Sequence, residues 1–215
     1  MNQEVHNARL ISITPDAEKQ IVYMARVSNP SNQENMDTAP RLIKYLLKHK
    51  HWSPFEMTTM QVEINTTRAI AAQILRHRSF SFQEFSQRYS DVSELPPLGL
   101  PHLRSQDLKN KQASHDDLPP ELIKRYNRYI QELYDGAQDL YHNMLEHGVA
   151  KECARSILPL GTPTRIYVSG TIRSWMHYLE VRGGIETQLE HRLVAEAIKE
   201  IFKEHLPSVF EAVFS

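Results

Sequence analysis

Glycine is scarce in this chain, with seven in 215 residues, and no GxGxxG or GxxxxGKS/T run is present. Folds that hold phosphate on backbone amides need glycine where the backbone approaches the ligand closely. A Rossmann or P-loop cradle is therefore not expected. If the protein binds phosphates, side chains must hold them.

Lys and Arg number 25 against 26 Asp and Glu, a net charge of −1. A general nucleic-acid or membrane binder carries a basic excess, so neither partner is expected. Any anion site must be local. The single cysteine, Cys153, rules out an intramolecular disulfide and fits a reducing compartment. The N-terminal MNQEVHNARLISI shows no basic region before a long apolar run, and no stretch reaches the length of a membrane span. The expectation is a cytoplasmic protein of one domain, residues 1–215.

Residues 8–13 read as a strand. Asp16 then caps a helix through Ser28, with Ile21, Met24, Ala25 and Ser28 on one face. A helix follows from Pro40 to His49, and alternation through Met60, Val62 and Ile64 marks a half-buried strand over 57–67. RAIAAQILRHR, 68–78, is rich in helix formers, so Arg76, His77 and Arg78 are expected to end that helix. Residues 91–118 carry Pro96, Pro97 and Pro101 and show no period, the signature of a long lid, a binding loop or a mobile segment. Pro119 and Pro120 open a long helix ending near Gly148. Its stripe of Leu122, Tyr126, Ile130, Leu133, Ala137, Leu140 and Met144 predicts core or subunit contact. A strand over 162–172 and a helix over 173–182 stopped by Gly183 come next. The last helix, 187–205, aligns Leu189, Leu193, Ala197 and Ile201. Strands and helices mix without βα alternation. That argues for an α+β fold, with a mixed or antiparallel sheet flanked by helices.

Three groups of polar residues stand out. The first is RHRSFSFQEFSQRY, 76–89. Alternation puts Phe80 and Phe82 on one side, anchored in a core, and Ser79, Ser81 and Gln83 on the other. Arginine forks and hydroxyls facing a cavity suit an anion; dipole complementation at a helix end is the alternative. The second group is Arg155, Arg165, Arg173, His177 and Arg182, of which Arg173 and His177 share a helical face. The third is HWSPFE, 51–56, in which Ser53–Pro54 reads as a turn and His51 and Glu56 as solvated loop residues.

Taken together these groups resemble the flavin-dependent thymidylate synthases. The family signature RHRxxSxNxxSxR is matched by Arg76-His77-Arg78, Ser81, Ser86 and Arg88, with Gln83 at the signature's Asn. HWSPFE resembles the family's HxS/TPFE segment, with Met57 where many members have His. ARSILPLGTPTRIYVSGTIRSWMHYLEVR is similar in order and spacing. The resemblance implies that dUMP becomes dTMP, with methylenetetrahydrofolate supplying carbon and FAD, reduced by NADPH, carrying a hydride. It implies FAD contacts from Ser53, Arg76, His77, Arg78, Glu84, Thr171, Arg173 and His177. It implies dUMP contacts from Gln73, Arg76, Glu84, Phe85, Ser86, Gln87, Arg88, Arg155 and Arg182, with His51 supporting folate or flavin. It also implies a homotetramer whose sites are shared between subunits, and no metal.

Arg182 is the expected catalytic residue, because a fixed guanidinium stabilises negative charge growing on the uracil ring. Cys153, as a nucleophile, is the rival; its expected role is a small buried hydrophobe in a helix. Ser86 lacks an evident base and reads as a hydrogen-bonding residue. A histidine phosphatase would carry Gly after Arg-His, where this chain has Arg78. A single-strand nucleic-acid binder conflicts with the neutral charge, and a metal hydrolase with the lack of HExxH.

Overall fold

Thr59–Thr67 forms β2, one of the two inner strands of the main sheet. The computed structural model describes residues 5–214, so the first four residues of the N-terminal stretch read above lie outside it. Strand β1 is Asn7–Ile13. It is followed by helices α1 (Ala17–Ala25), α2 (Ala39–Lys48) and the single turn α3 (Ser53–Glu56). After β2 come α4 (Arg68–Ile74), β3 (Ser81–Glu84), the two-residue strands β4 (Ser105–Gln106) and β5 (Ser114–His115), and α5 (Pro120–Glu146). The chain closes with α6 (Lys151–Ala154), β6 (Pro163–Thr171), α7 (Ile172–Arg182), α8 (Leu189–His205) and α9 (Pro207–Phe214).

The main sheet runs β1-β2-β6-β3, and each pairing within it is antiparallel. The α+β expectation holds, and of the two sheet types it left open the antiparallel one is found. Met60, Val62, Ile64, Ile166 and Val168 point to one face and are buried under α7, α8, α1 and α2. The other face is polar: Arg9 reaches Glu63 at 3.0 Å, and Asn65 accepts from Arg165 at 2.9 Å. Among the described residues no helix is long and apolar enough to cross a membrane.

Several boundaries differ from the sequence reading, each for a local reason. Helix α1 stops at Ala25, not Ser28, because Arg26 turns inward. Its buried guanidinium donates to Asn32 O at 3.0 Å and Thr38 Oγ1 at 2.8 Å. Asp16 precedes the helix at φ 50 but makes no side-chain cap. Helix α4 ends at Ile74, so Arg76, His77 and Arg78 lie in the turn beyond it rather than in its last turn. The buried face of α8 is His191, Val194, Ala195, Ile198 and Phe202. Leu189 and Leu193 instead line a cavity of about 430 Å³ beneath 99–104. The stripe of α5 is not core: Leu122, Tyr126, Leu133 and Leu140 are exposed. Residues 91–118 are not structureless. Strands β4 and β5 pair within them, and Arg104 forks onto Glu190 of α8 at 2.8 and 3.0 Å.

Phe80 shows how β3 is pinned. Its ring lies 4.5 Å from Trp175, between centroids, and edge-on to Phe82 and Tyr178. It lies flat over Gly170 of β6, where an added Cβ would come 2.2 Å from Phe80 Cδ1. No side chain fits there while the ring stays. Gly170→Ala should therefore cost roughly 1–3 kcal/mol of stability, as overpacking does. In the Phe80→Ala background the same change should cost much less. Urea unfolding of the four proteins of this cycle is the measurement, and equal costs in both backgrounds would show that Phe80 is not the constraint.

Candidate active site

Helices α4 and α7 leave the sheet from opposite ends of one strand pair. Arg68 N bonds to Thr162 O at 2.9 Å at one end, and Ile172 N to Thr58 O at 3.0 Å at the other. Their C-terminal ends meet. Arg182 Nε donates to His77 Nε2 at 2.9 Å, joining positions 105 apart in sequence. His77 therefore accepts at Nε2 and is neutral, with its proton on Nδ1. Burial, then the charge of Arg182, then His177, lower its pKa to about 4. Its ring stands edge-on to Tyr178 at 5.0 Å. Arg76 and Arg78 on either side are exposed, and their side chains have no partner among the described residues.

A second set gathers at the start of α7. Thr171 caps the helix by accepting from Ser174 N at 3.2 Å. Arg173 pairs with Glu56 of α3 and lies over the Trp52 ring, 5.4 Å from its centroid. Glu56 is thus a paired helical residue, not a free loop carboxylate, and Ser53 opens the same turn of helix, not a loop turn. Arg173 and His177 do share a face. With Trp52, Lys44, Lys48 and Glu180 they line an open cavity of about 450 Å³. His51 is exposed nearby, its ring 6.0 Å from that of Tyr45, and Met57 is exposed too.

A third set lies at the other end of β3. Glu84 accepts from Arg68 at 2.7 Å and from Thr164 at 3.0 Å. Phe85 N donates to Arg165 O at 2.8 Å, and Ser86 is exposed beyond it. Arg88 pairs with Glu152 at 3.1 Å. Gln87 is buried with its Nε2 unpaired, and it lines a cavity of about 370 Å³ with Arg68, Glu152 and Arg155. Cys153 is exposed, not a buried hydrophobe; α6 is a single turn at the surface and covers only Ala154. One chain therefore does not gather all the predicted nucleotide residues. Gln73, Arg76 and Arg182 belong with the His77 contact, and Glu84, Phe85, Ser86, Gln87, Arg88 and Arg155 with this third set.

Gln73 also heads a chain of hydrogen bonds that sequence reasoning missed, running from exposed Gln188 to buried His191 and Tyr178. Its Oε1 faces His191 Nδ1 at 3.2 Å, and His191 Nε2 faces the Tyr178 hydroxyl at 2.9 Å. Its Nε2 donates to Gln188 at 2.8 Å, and Gln188 donates to Glu190 at 2.9 Å. His191 is wholly buried, and burial, then Arg182 and His77, lower its pKa to about 3. The usable signal was a histidine on a phase of α8 that is otherwise apolar. Among the described residues no group of three or more His, Cys, Asp or Glu is placed to hold a metal ion.

The sequence model of the thymidylate synthase complementing protein family matches residues 9–208. The chain belongs to that family. It is 52% identical over 215 residues, covering 96% of this chain and 98% of the relative, to a probable flavin-dependent thymidylate synthase of Paramecium bursaria Chlorella virus 1. It is 50% identical over 193 residues, 90% of this chain and 87% of the relative, to a flavin-dependent thymidylate synthase of Synechocystis. A solved structure of the UMP/dUMP methylase PolB from Streptomyces cacaoi, bound with 5-Br dUMP, superposes with a TM-score of 0.83 at 26% identity. That match covers 96% of this chain and 93% of the other.

The two neutral histidines set a pH dependence for this family member. Unfolded, each titrates near the ordinary value of about 6.5. Folded, His77 and His191 take up protons only near about 4 and about 3. Between those limits the unfolded chain binds more protons, so stability falls as pH is lowered from about 6.5 to about 4. The Tm of the flavin-free protein across this window checks it. The slope should flatten in His191→Asn, and an unchanged slope would mean that His191 is not buried neutral.

Proposed function

We propose that this chain is a flavin-dependent thymidylate synthase, converting dUMP to dTMP with methylenetetrahydrofolate as carbon donor and NADPH as reductant. The observation that carries the reading is the Arg182–His77 hydrogen bond. It draws the second cationic segment onto the RHR turn, in a chain of this family. The residues fit FAD chemically: unpaired Arg76 and Arg78, and Arg173 over Trp52 beside an open cavity, supply cations and an aromatic face without a glycine loop. In the proposal Ser53, Arg76, His77, Arg78, Glu84, Thr171, Arg173 and His177 hold FAD, and His51 supports the folate or flavin. When bound, the flavin supplies the hydride.

The chain's own part is to bind and to polarise. Arg182 is held through Nε alone, and its terminal NH₂ groups have no partner among the described residues. A planar fork fixed by one edge presents the other to charge developing on the uracil ring. His77, held neutral by burial, does not add a competing charge. Gln73, Arg76, Glu84, Phe85, Ser86, Gln87, Arg88, Arg155 and Arg182 bind dUMP in this reading. They fall into two separate sets within one chain, which supports a homotetramer with sites completed across subunits. The exposed apolar stripe of α5 is the surface for such contacts. A cytoplasmic location accompanies this reading.

The test is assay of dTMP formation by protein reconstituted with FAD, NADPH, dUMP and methylenetetrahydrofolate. At saturating dUMP, Arg182→Ala should lower the rate about a hundredfold or more, the scale of losing an aligned donor to developing charge. Arg182→Lys should recover little, and Cys153→Ala should stay active. An inactive but folded, flavin-loaded Cys153→Ala would make the thiol a nucleophile and overturn the polarisation reading. Mixing inactive Arg88→Ala with inactive Arg182→Ala should restore part of the activity through hybrid oligomers. No recovery in oligomers shown by mass spectrometry to be mixed would place both residues in one protomer's site.

A further inference from the structure

The hydrogen bonds behind Gln73 have a direction, and it is fixed from their far end. The Glu190 carboxylate only accepts, and Arg104 donates to both of its oxygens at 2.8 and 3.0 Å. Burial raises the Glu190 pKa, but Arg104, its own backbone N–H and Gln188 together bring it below the ordinary value, so it stays ionised. Gln188 must therefore turn Nε2 towards Glu190, at 2.9 Å, which leaves its Oε1 facing Gln73. Gln73 must donate to that oxygen from Nε2, at 2.8 Å, which turns its Oε1 to His191. His191 must then donate from Nδ1, at 3.2 Å, and accept at Nε2 from the Tyr178 hydroxyl, at 2.9 Å. Reversing any one amide would set two donors or two acceptors against each other.

An unrestrained glutamine amide turns over freely and serves a donor or an acceptor equally well. Here it cannot. With Gln73 turned, His191 and Tyr178 could exchange donor and acceptor roles, but Gln188 would then set its Oε1 against the ionised Glu190, two acceptors face to face. The lock is also indifferent to pH across the working range. The charged and titratable groups facing His191 are Arg182 and Tyr178 from α7 and His77 from the turn after α4. Of these, burial chiefly, then Arg182 and His77, keep the imidazole neutral.

We propose that His191, Gln188 and the Arg104–Glu190 pair are positioning residues that fix the amide orientation of Gln73, and so give the nucleotide site its preference for uracil over cytosine. The inference rests on the reading that Gln73 meets the nucleotide base. The 3,4 edge of uracil offers a donor beside an acceptor, and cytosine offers the reverse. A glutamine locked in one orientation discriminates between them, whereas a freely turning one does not.

The experiment measures the affinities of dUMP and dCMP for FAD-loaded protein by calorimetry. Wild type should prefer dUMP. His191→Leu removes the donor to Gln73, and Glu190→Gln offers an amide that either accepts or donates. Each should reduce the dUMP/dCMP affinity ratio, roughly three- to tenfold, the value of one hydrogen bond. His191→Asn keeps a donor near the place of Nδ1 but leaves Tyr178 unpaired, as His191→Leu does. It should retain the ratio despite a similar loss of stability, which separates positioning from packing. Unchanged ratios in both His191→Leu and Glu190→Gln, with dUMP affinity still lowered by Gln73→Ala, would overturn the lock. If Gln73→Ala leaves dUMP affinity unaltered, the placement of Gln73 at the nucleotide fails and the inference fails with it.

Discussion

Nine consecutive residue pairs join β2 to β6, from Thr59 opposite Thr171 to Thr67 opposite Pro163. Each strand runs without a loop into a helix, α4 at one end and α7 at the other. Antiparallel pairing therefore starts the two helices at opposite ends of one ladder and returns them over the same apolar face. Their C-terminal ends converge because the strands are matched in length. A one-residue slip would turn Met60, Val62 and Ile64 out of the core and carry α4 away from α7. The His77–Arg182 contact is thus a consequence of strand register. Two helix C-termini with partly negative carbonyl ends meet at one place, and a site rich in arginine is well tolerated there.

The same convergence helps to keep two histidines neutral. Burial is the larger cause for both His77 and His191, and the permanent charge of nearby Arg182 adds to it. Neutral imidazoles accept at one nitrogen and donate from the other, so each becomes a directional link. His77 accepts from Arg182 and holds the guanidinium edge. His191 passes the polarity set at Glu190 on to Tyr178. Two histidines of the same protonation state and the same tautomer thus do different jobs, because different partners meet their ring nitrogens.

The sequence was most informative where one period governs burial. The strands around Met60–Ile64 and Ile166–Val168 and the Phe80/Phe82 alternation were legible on that ground; the stripe of α5 marked a helix but not burial, since Leu122, Tyr126, Leu133 and Leu140 are exposed. The RHR motif and the pairing of Arg173 with His177 on one face were legible too. Long-range polar contacts were not. Nothing local marks Arg104, in a segment of no period, as the partner of Glu190, 86 positions away. Nor does the spacing of α8 show which of two adjacent faces is buried, since both carry aliphatic residues. The choice fell to the face bearing His191 because Tyr178 and Gln73 satisfy that imidazole. The early end of α4 was hidden for the opposite reason. Leu75 and Arg76 are good helix formers, and the turn is set by His77 and Phe80 docking on α7, a tertiary effect that overrides propensity.

The cations of this protein differ in how firmly they are held. Arg173 with Glu56, and Arg88 with Glu152, are ion pairs at the surface, where such pairs contribute about 0–1 kcal/mol. A phosphate or carboxylate arriving at either arginine exchanges one anion for another at little cost, because the side chain is already near its place. Arg104 with Glu190 and Arg68 with Glu84 are more enclosed. Breaking one of those strands a charge in a drier setting, so these pairs exchange partners less readily. The division follows position in the fold. Arg173 and Arg88 make their pairs at the surface, whereas Arg104 ties the loop of 91–118 to α8 and Arg68 ties strand β3 to α4. Ligand binding can therefore reorganise the charged surface while the register that brings Arg182 to His77 stays fixed.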